Sequence, residues 1–282
     1  MIAMAGAAVP AHGGSHGTGS AAAAWLLPVL VAVVLGAWYL TAVFRLRGSG
    51  RTWSGGRTAS FLLGAVLVGA ALSPPVDAGT VGGHMAQHLL LGMFAPIALV
   101  LGAPVTLLLA DLPVAARRPV AVLLRSRVLH ALSHVTTAAV LSVGGLYLLY
   151  LTPLYALSVR SDVVHHVLQL HFLLTGCLFA WAVAGPDPAP RRPGMAVRLA
   201  VVVVAGGFHA FLAKLLFSRA PVLPVGGGHD AAEVEAAAQL MYYGGHVADL
   251  LLLVALFAAW YRRTGRALAR GPAAAPRNAP AV

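Results

Sequence analysis

The sequence predicts an all-α integral membrane protein, a seven-transmembrane helix bundle with its N-terminus outside and its C-terminus cytoplasmic. Three observations carry that prediction. Of 282 residues, 59% are hydrophobic and 10% charged, and the mean hydropathy is +0.83, a composition suited to lipid rather than water. Seven apolar stretches approach the roughly 20 residues a spanning helix needs. Arginines gather after every second stretch, and by the positive-inside rule such loops stay in the cytoplasm.

The first stretch, at about 24–44, follows a tail over 1–22 rich in Ala, Gly and Pro, whose composition predicts disorder. MIAMAGAAVPAHGGSHG lacks a basic start and a compact apolar core, so the first helix reads as a retained anchor rather than a cleaved signal. Arg45, Arg47, Arg51 and Arg57 follow it. The second stretch, about 58–74, is the shortest; the third, about 84–110, is followed by Arg117, Arg118, Arg125 and Arg127. The fourth and fifth, at about 130–151 and 163–184, lead to Arg191, Arg192 and Arg198. The sixth and seventh, about 196–217 and 236–261, end at Arg262, Arg263, Arg266, Arg270 and Arg277. The alternate loops hold Arg160 and Arg219 and collect Asp77, Asp162, Asp230, Glu233 and Glu235. One membrane domain over 23–263 therefore stands between the 1–22 tail and a basic, disordered cytoplasmic tail over 264–282.

The formal charge of +11 is thus a topology signal. It points to anionic lipid headgroups as a partner and not to nucleic acid. The lone Cys177 lies within the fifth helix, so no intrachain disulfide is possible.

Topology gives each of the 12 histidines a side and a depth. His84 and His88 open the third helix at its outer end, and four-residue spacing puts both on one face. His165 and His166 open the fifth helix on the same side. His171, His209 and His246 fall roughly 12–15 Å down the fifth, sixth and seventh helices. His12, His16 and His229 sit in extracytoplasmic tail or loop, and only His130 and His134 lie at the cytoplasmic side.

Polar side chains in a bilayer are costly and usually face a site or pathway. Neutral imidazole binds copper, zinc and iron, and thioether sulfur favours cuprous copper. With Met85 beside His84, and Met93 and Met241 on the third and seventh helices, the set leans toward copper. The structural alternative is that end histidines touch headgroups and deeper ones hydrogen-bond between helices. Lys214 and Asp249 are the intramembrane charges; Lys214 is close enough to the outer end to snorkel, while Asp249 needs Lys214 or a histidine as partner. No phosphate-cradling glycine loop, CxxC motif or nucleophile triad is present, and GGGHD at 226–230 reads as a loop.

Four motifs in order are HMAQHLLLGMFAPIALVLGAPVTLLL, LTPLYALSVRSDVVHHVLQLHFLLTGCLFAWAVAGPDPAPRRP, FHAFLAKLLF and MYYGGHVADLLLLVALFAAWYRR. Over about 80–262, in contiguous spans of hydrophobic helix, they resemble the CtaG-like cytochrome c oxidase assembly factor family. The resemblance implies a seven-helix protein of the bacterial cell membrane that supports maturation of haem-copper oxidases by helping copper reach their buried copper centre. It makes His84, His88, His165, His171 and His209 the matching histidines. Many members carry Trp-His where this chain has Tyr150 and Leu151, and an acidic residue where it has His246.

The function expected is a non-enzymatic assembly factor that takes cuprous copper outside and passes it to a haem-copper oxidase subunit, with an extracytoplasmic donor protein supplying it. His84, Met85, His88 and His165 or His166 would receive the ion, and His171, His209 and His246 would hold it deeper, two or three ligands at a time. The alternatives are a b-type haem clamped between two histidines and a copper transport permease, which would need a polar route through the cytoplasmic half.

Overall fold

The computed structural model describes residues 18–76, 79–188 and 192–269. Of the tails expected to be disordered over 1–22 and 264–282, residues 18–22 and 264–269 are helical, while 1–17 and 270–282, with His12, His16, Asp77, Arg191, Arg270 and Arg277, lie outside the described residues. The helices are α1 (Thr18–Gly48), α2 (Gly55–Ala71), α3 (Val81–Leu101), α4 (Pro104–Asp111), α5 (Val114–Leu124) and α6 (Arg127–Leu132). Then follow α7 (Val135–Leu151), α8 (Leu154–Arg160), α9 (Asp162–Val183), α10 (Met195–Ser218) and α11 (Ala231–Ala269). The described residues contain no strand.

Each of the seven expected stretches is helical, but not every one is a simple span. Five helices, α1, α3, α9, α10 and α11, are long and apolar enough to cross a membrane by themselves. A sixth crossing arises only if α7 and α8, which meet at 80°, count as one. At 17 residues, α2 falls just short of the others. The third stretch, expected to run to 110, breaks instead at Gly102 and Ala103. Ala103 adopts a left-handed φ of 56°, and Pro104 starts α4 where its missing N–H costs nothing. The fourth starts at Val135 rather than 130, because Ser126 caps the separate helix α6 by accepting from Leu129 N at 3.1 Å.

Five helices close a ring: α3 packs on α11 and α9, α7 on α9 and α10, and α10 on α11. The helices α1 and α2 lie outside it against α3 and α4. Phe61 of α2 stacks on Tyr39 of α1 at 4.1 Å, and Tyr39 donates its hydroxyl to Gly102 O at 2.7 Å. That bond satisfies a carbonyl freed by the break after α3.

An acidic residue from elsewhere in the chain anchors the start of α3, and another caps α4 just beyond its end. Thr80 accepts from Gly83 N at 2.9 Å, and Glu233 of α11 accepts from Val81 N at 2.9 Å. At the arginine-rich end Asp187 caps α4, accepting from Val105 N at 3.1 Å, Thr106 N at 2.7 Å and the Thr106 hydroxyl at 2.5 Å. A carboxylate at a helix N-terminus meets both the orphan N–H groups and the positive end of the dipole. In mid-course α3 widens into a π-helical turn over Leu90–Phe94, a local insertion that recurs at functional sites.

Candidate functional site

The opening turn of α3 presents His84 to the end of the bundle opposite the arginines. His84 faces α8 and α9, with ring centroids 5.1 Å from Tyr155 and 6.1 Å from His165. These side chains, with Thr80, Ser158 and Asp162, line a cavity of about 220 Å³. Gln169 donates to His165 Nε2 at 2.8 Å, which keeps that nitrogen in its acceptor form.

One turn further along α3, His84, Gln87, His88, His165 and Phe172 enclose a void of about 10 Å³. A water needs roughly 10–15 Å³, so this is a neck and not a chamber. Beyond it lies a pocket of about 30 Å³, lined by residues of all five ring helices, among them His88, Met93, Ser142, Gly176, His209 and Asp249. It has room for one or two water-sized occupants.

The histidines in that pocket are unusual in what they lack. His88 and His209 are each 4% exposed. Neither ring nitrogen of His88, nor Nε2 of His209, has a hydrogen-bond partner among the described residues. Buried polar atoms left so cost about 1–3 kcal/mol each. The two rings have centroids 5.8 Å apart and planes tilted by 32°.

Local sequence makes this possible. A Cβ on Gly245 of α11 would lie 2.3 Å from the His209 ring, and one on Gly176 of α9 would lie 2.3 Å from the carbonyl of Gly92. The small residues therefore let α11 approach the His209 ring and α9 approach the π-turn beside His88.

Of the residues expected at the site, the structure gathers His84 with His165 and His88 with His209. Met93 joins the inner pair. His166 borders the outer cavity but is exposed, and its Nδ1 donates to Asp162 O at 2.6 Å. Met85 is buried with its sulfur accepting from the Tyr150 hydroxyl at 3.7 Å, so an ion does not have that lone pair to itself. His171 turns away to α7, donating from Nε2 to Leu141 O at 3.2 Å. His246 is exposed on α11 and donates from Nδ1 to Tyr242 O at 2.6 Å; it sits one residue past the inward-facing Gly245, off the buried stripe. Leu151 is 37% exposed, so a histidine there would not line the pocket. Lys214 and Asp249 do not pair: the Lys214 ammonium sits over Tyr242 at 5.3 Å.

Two further residues of the region are Tyr155, which the sequence does not single out, and His229, which it places only in a loop. Tyr155 stands between His84 and His229, its ring 5.6 Å from the latter. His229 comes from the GGGHD segment and keeps Nε2 buried without a partner. Gly226 and Gly228 with φ of 74° and 61° shape that loop, and their spacing was the available signal. Among the described residues no group of three His, Cys, Asp or Glu side chains is placed to share a metal ion. The arrangement consists of pairs.

Residues 37–263 match the cytochrome c oxidase caa3 assembly factor family (Caa3_CtaG). The chain belongs to this family. The matched range takes in the five-helix ring and every side chain of the cavity series. Assembly factors of this family are multi-pass bacterial membrane proteins associated with cytochrome oxidase, in keeping with the apolar helices. An uncharacterized protein of Mycobacterium leprae is 35% identical over 259 residues, 85% of this chain and 39% of its own length. Uncharacterized proteins of Mycobacterium bovis and Mycobacterium tuberculosis are each 41% identical over 196 residues, 66% of this chain and 30% of theirs. The chain thus spans less than half the length of these relatives. No solved structure matches it.

Proposed function

We propose that this assembly factor binds cuprous copper at its extracytoplasmic end and delivers it to a haem-copper oxidase subunit. The observation that carries the reading is the series of cavities running from the outer mouth to the middle of the ring, lined in turn by His84 and His165, then His88, then His209. Placing that mouth outside follows from the arginines at the opposite end. Pairs of imidazoles without a closed cage suit a cargo that must be released, since soft monovalent copper accepts low coordination and a four-ligand cage is a structural site.

The size of the inner pocket favours an ion over haem. Clefts for organic ligands run to about 300–1,000 Å³, whereas this one is near 30 Å³. The route also meets apolar packing below Asp249, where Val183, Val202 and Leu256 are buried, which favours delivery over transport to the cytoplasm.

The test is a deletion strain complemented with His84→Ala/His88→Ala. The expected outcome is a normally inserted protein, with oxidase activity and oxidase copper content falling together. Full copper loading with a well-expressed double variant would overturn the reading.

A further inference from the structure

We infer that Asp249 is the counter-charge for a single monovalent soft cation held between His88 and His209, making the inner pocket selective for cuprous or silver ions over divalent metals. This rests on the copper reading above. Asp249 lines the same pocket as both imidazoles. It stands one turn past Gly245, whose bare backbone makes room for the His209 ring. Its carboxylate lies against Gly206 of α10, where a Cβ would come within 2.6 Å of Oδ2. Gly206 is three residues before His209, so carboxylate and imidazole occupy adjoining levels of one α10–α11 seam.

No ammonium or guanidinium pairs with it among the described residues, and His246 acts on it only across space. Lys214 is engaged over Tyr242 near the far end of α10, and the nearby His246 is turned outward onto its own helix. Among the described residues the Asp249 carboxylate takes part in no hydrogen bond or ion pair. An anionic carboxylate in a ring of apolar helices needs compensation.

The charges then select the guest. Two neutral imidazoles add nothing, so a monovalent ion leaves the pocket neutral and a divalent ion leaves it positive in a medium where charge is costly. The geometry suits a two-coordinate ion. Metal–nitrogen bonds of about 2.0–2.1 Å on opposite sides of an ion place imidazole centroids ~6 Å apart, and these lie 5.8 Å apart. Met93 on the pocket wall adds a thioether, a donor that prefers cuprous copper.

The experiment uses purified full-length protein in lipid nanodiscs, in a His84→Ala/His165→Ala background that silences the mouth. Cuprous ion is titrated against a competing chelator without oxygen, and zinc in parallel. We expect one cuprous ion bound, zinc at least 100-fold weaker, cuprous affinity lowered at least tenfold by Asp249→Asn, and affinity kept within threefold by Asp249→Glu. Unchanged cuprous affinity in Asp249→Asn, with binding lost in His88→Ala/His209→Ala, would overturn the counter-charge and leave the copper reading standing. Binding that survives His88→Ala/His209→Ala would overturn both. Zinc bound as tightly as copper by the protein with Asp249 intact would overturn the selectivity without recourse to any Asp249 variant.

Discussion

The two ends of α3 deal with polar groups in opposite ways. At the arginine-rich end they are spent on hydrogen bonds that tie the chain together. Asp187 accepts three bonds from α4, Arg198 donates to Val183 O at 2.8 Å, and Tyr39 accepts from Trp53 at 3.0 Å while donating to Gly102 O. Toward the other end, His88 and His209 are equally buried yet line one cavity side by side. One set holds the broken helix together, and the other adds nothing visible to holding the bundle. The contrast separates a structural floor from a chamber kept ready for a guest, since orphaned buried groups persist where something other than stability retains them.

The sharpest way to break the comparison is at the floor. Asp187→Ala removes a charged helix cap with three acceptor contacts. Hydrogen bonds to a charged group are worth about 1.5–3 kcal/mol each and are not additive, so a loss of about 3 kcal/mol is expected. Thermal denaturation of detergent-solubilised protein, followed by size exclusion, measures it, and a shift no larger than that of a surface substitution would sink the structural role. Next comes Gly176→Ala, whose methyl would overlap the Gly92 carbonyl at the π-turn. Forcing α9 from α3 should cost roughly 1–3 kcal/mol, the usual range for overpacking. Because the turn directly follows His88, cuprous affinity should fall alongside. Stability lost with affinity intact would show that the π-turn does not set the histidine.

The helices and half of the chamber could be read from sequence, while the long-range contacts of the floor, such as Asp187 on α4, could not, and the reasons differ by residue. Hydropathy places the helices because lipid demands a continuous apolar run. The break after α3 is written in Gly102-Ala103-Pro104, which a stretch counted to 110 runs past, and the bend between α7 and α8 in Thr152-Pro153, where the stretch counted to 151 ends. The inner pair needed His88 to be matched with His209 across the ring, which is tertiary information. The structure turns His246 off the inner stripe for a local reason. On α11 the buried positions Met241, Gly245, Ala248 and Leu252 recur at helical spacing, and His246 is about 100° around from Gly245. Asp249, four residues past Gly245, falls on the inner side. The π-turn left no trace that periodicity could have caught, since a one-residue insertion shifts the stripe within a run that is apolar all round.

A smaller effect on stability and a larger one on binding are expected from His88→Leu/His209→Leu. Replacing both partners of an unsatisfied pair by apolar groups of similar volume is often neutral or stabilising. The melting temperature should stay put or rise while the inner cuprous ion is lost. A fall in stability comparable to that of Asp187→Ala would mean that the histidines hold the fold through bonds the pocket geometry does not display, and the distinction between floor and chamber would collapse.

The smallest effect belongs to His246→Leu. The side chain is exposed on a membrane-spanning helix and bonds to the carbonyl of Tyr242 one turn back, so its removal takes away one local contact and adds an apolar surface that lipid accepts. Stability should change by no more than about 0.5 kcal/mol, as for other substitutions away from packed features. Inner-site affinity for cuprous ion should be unchanged in the same titration that scores Asp249→Asn. The two residues are three apart on one helix and differ mainly in which way they face. If His246→Leu weakened copper as much as Asp249→Asn does, proximity to the pocket rather than charge within it would be setting the affinity.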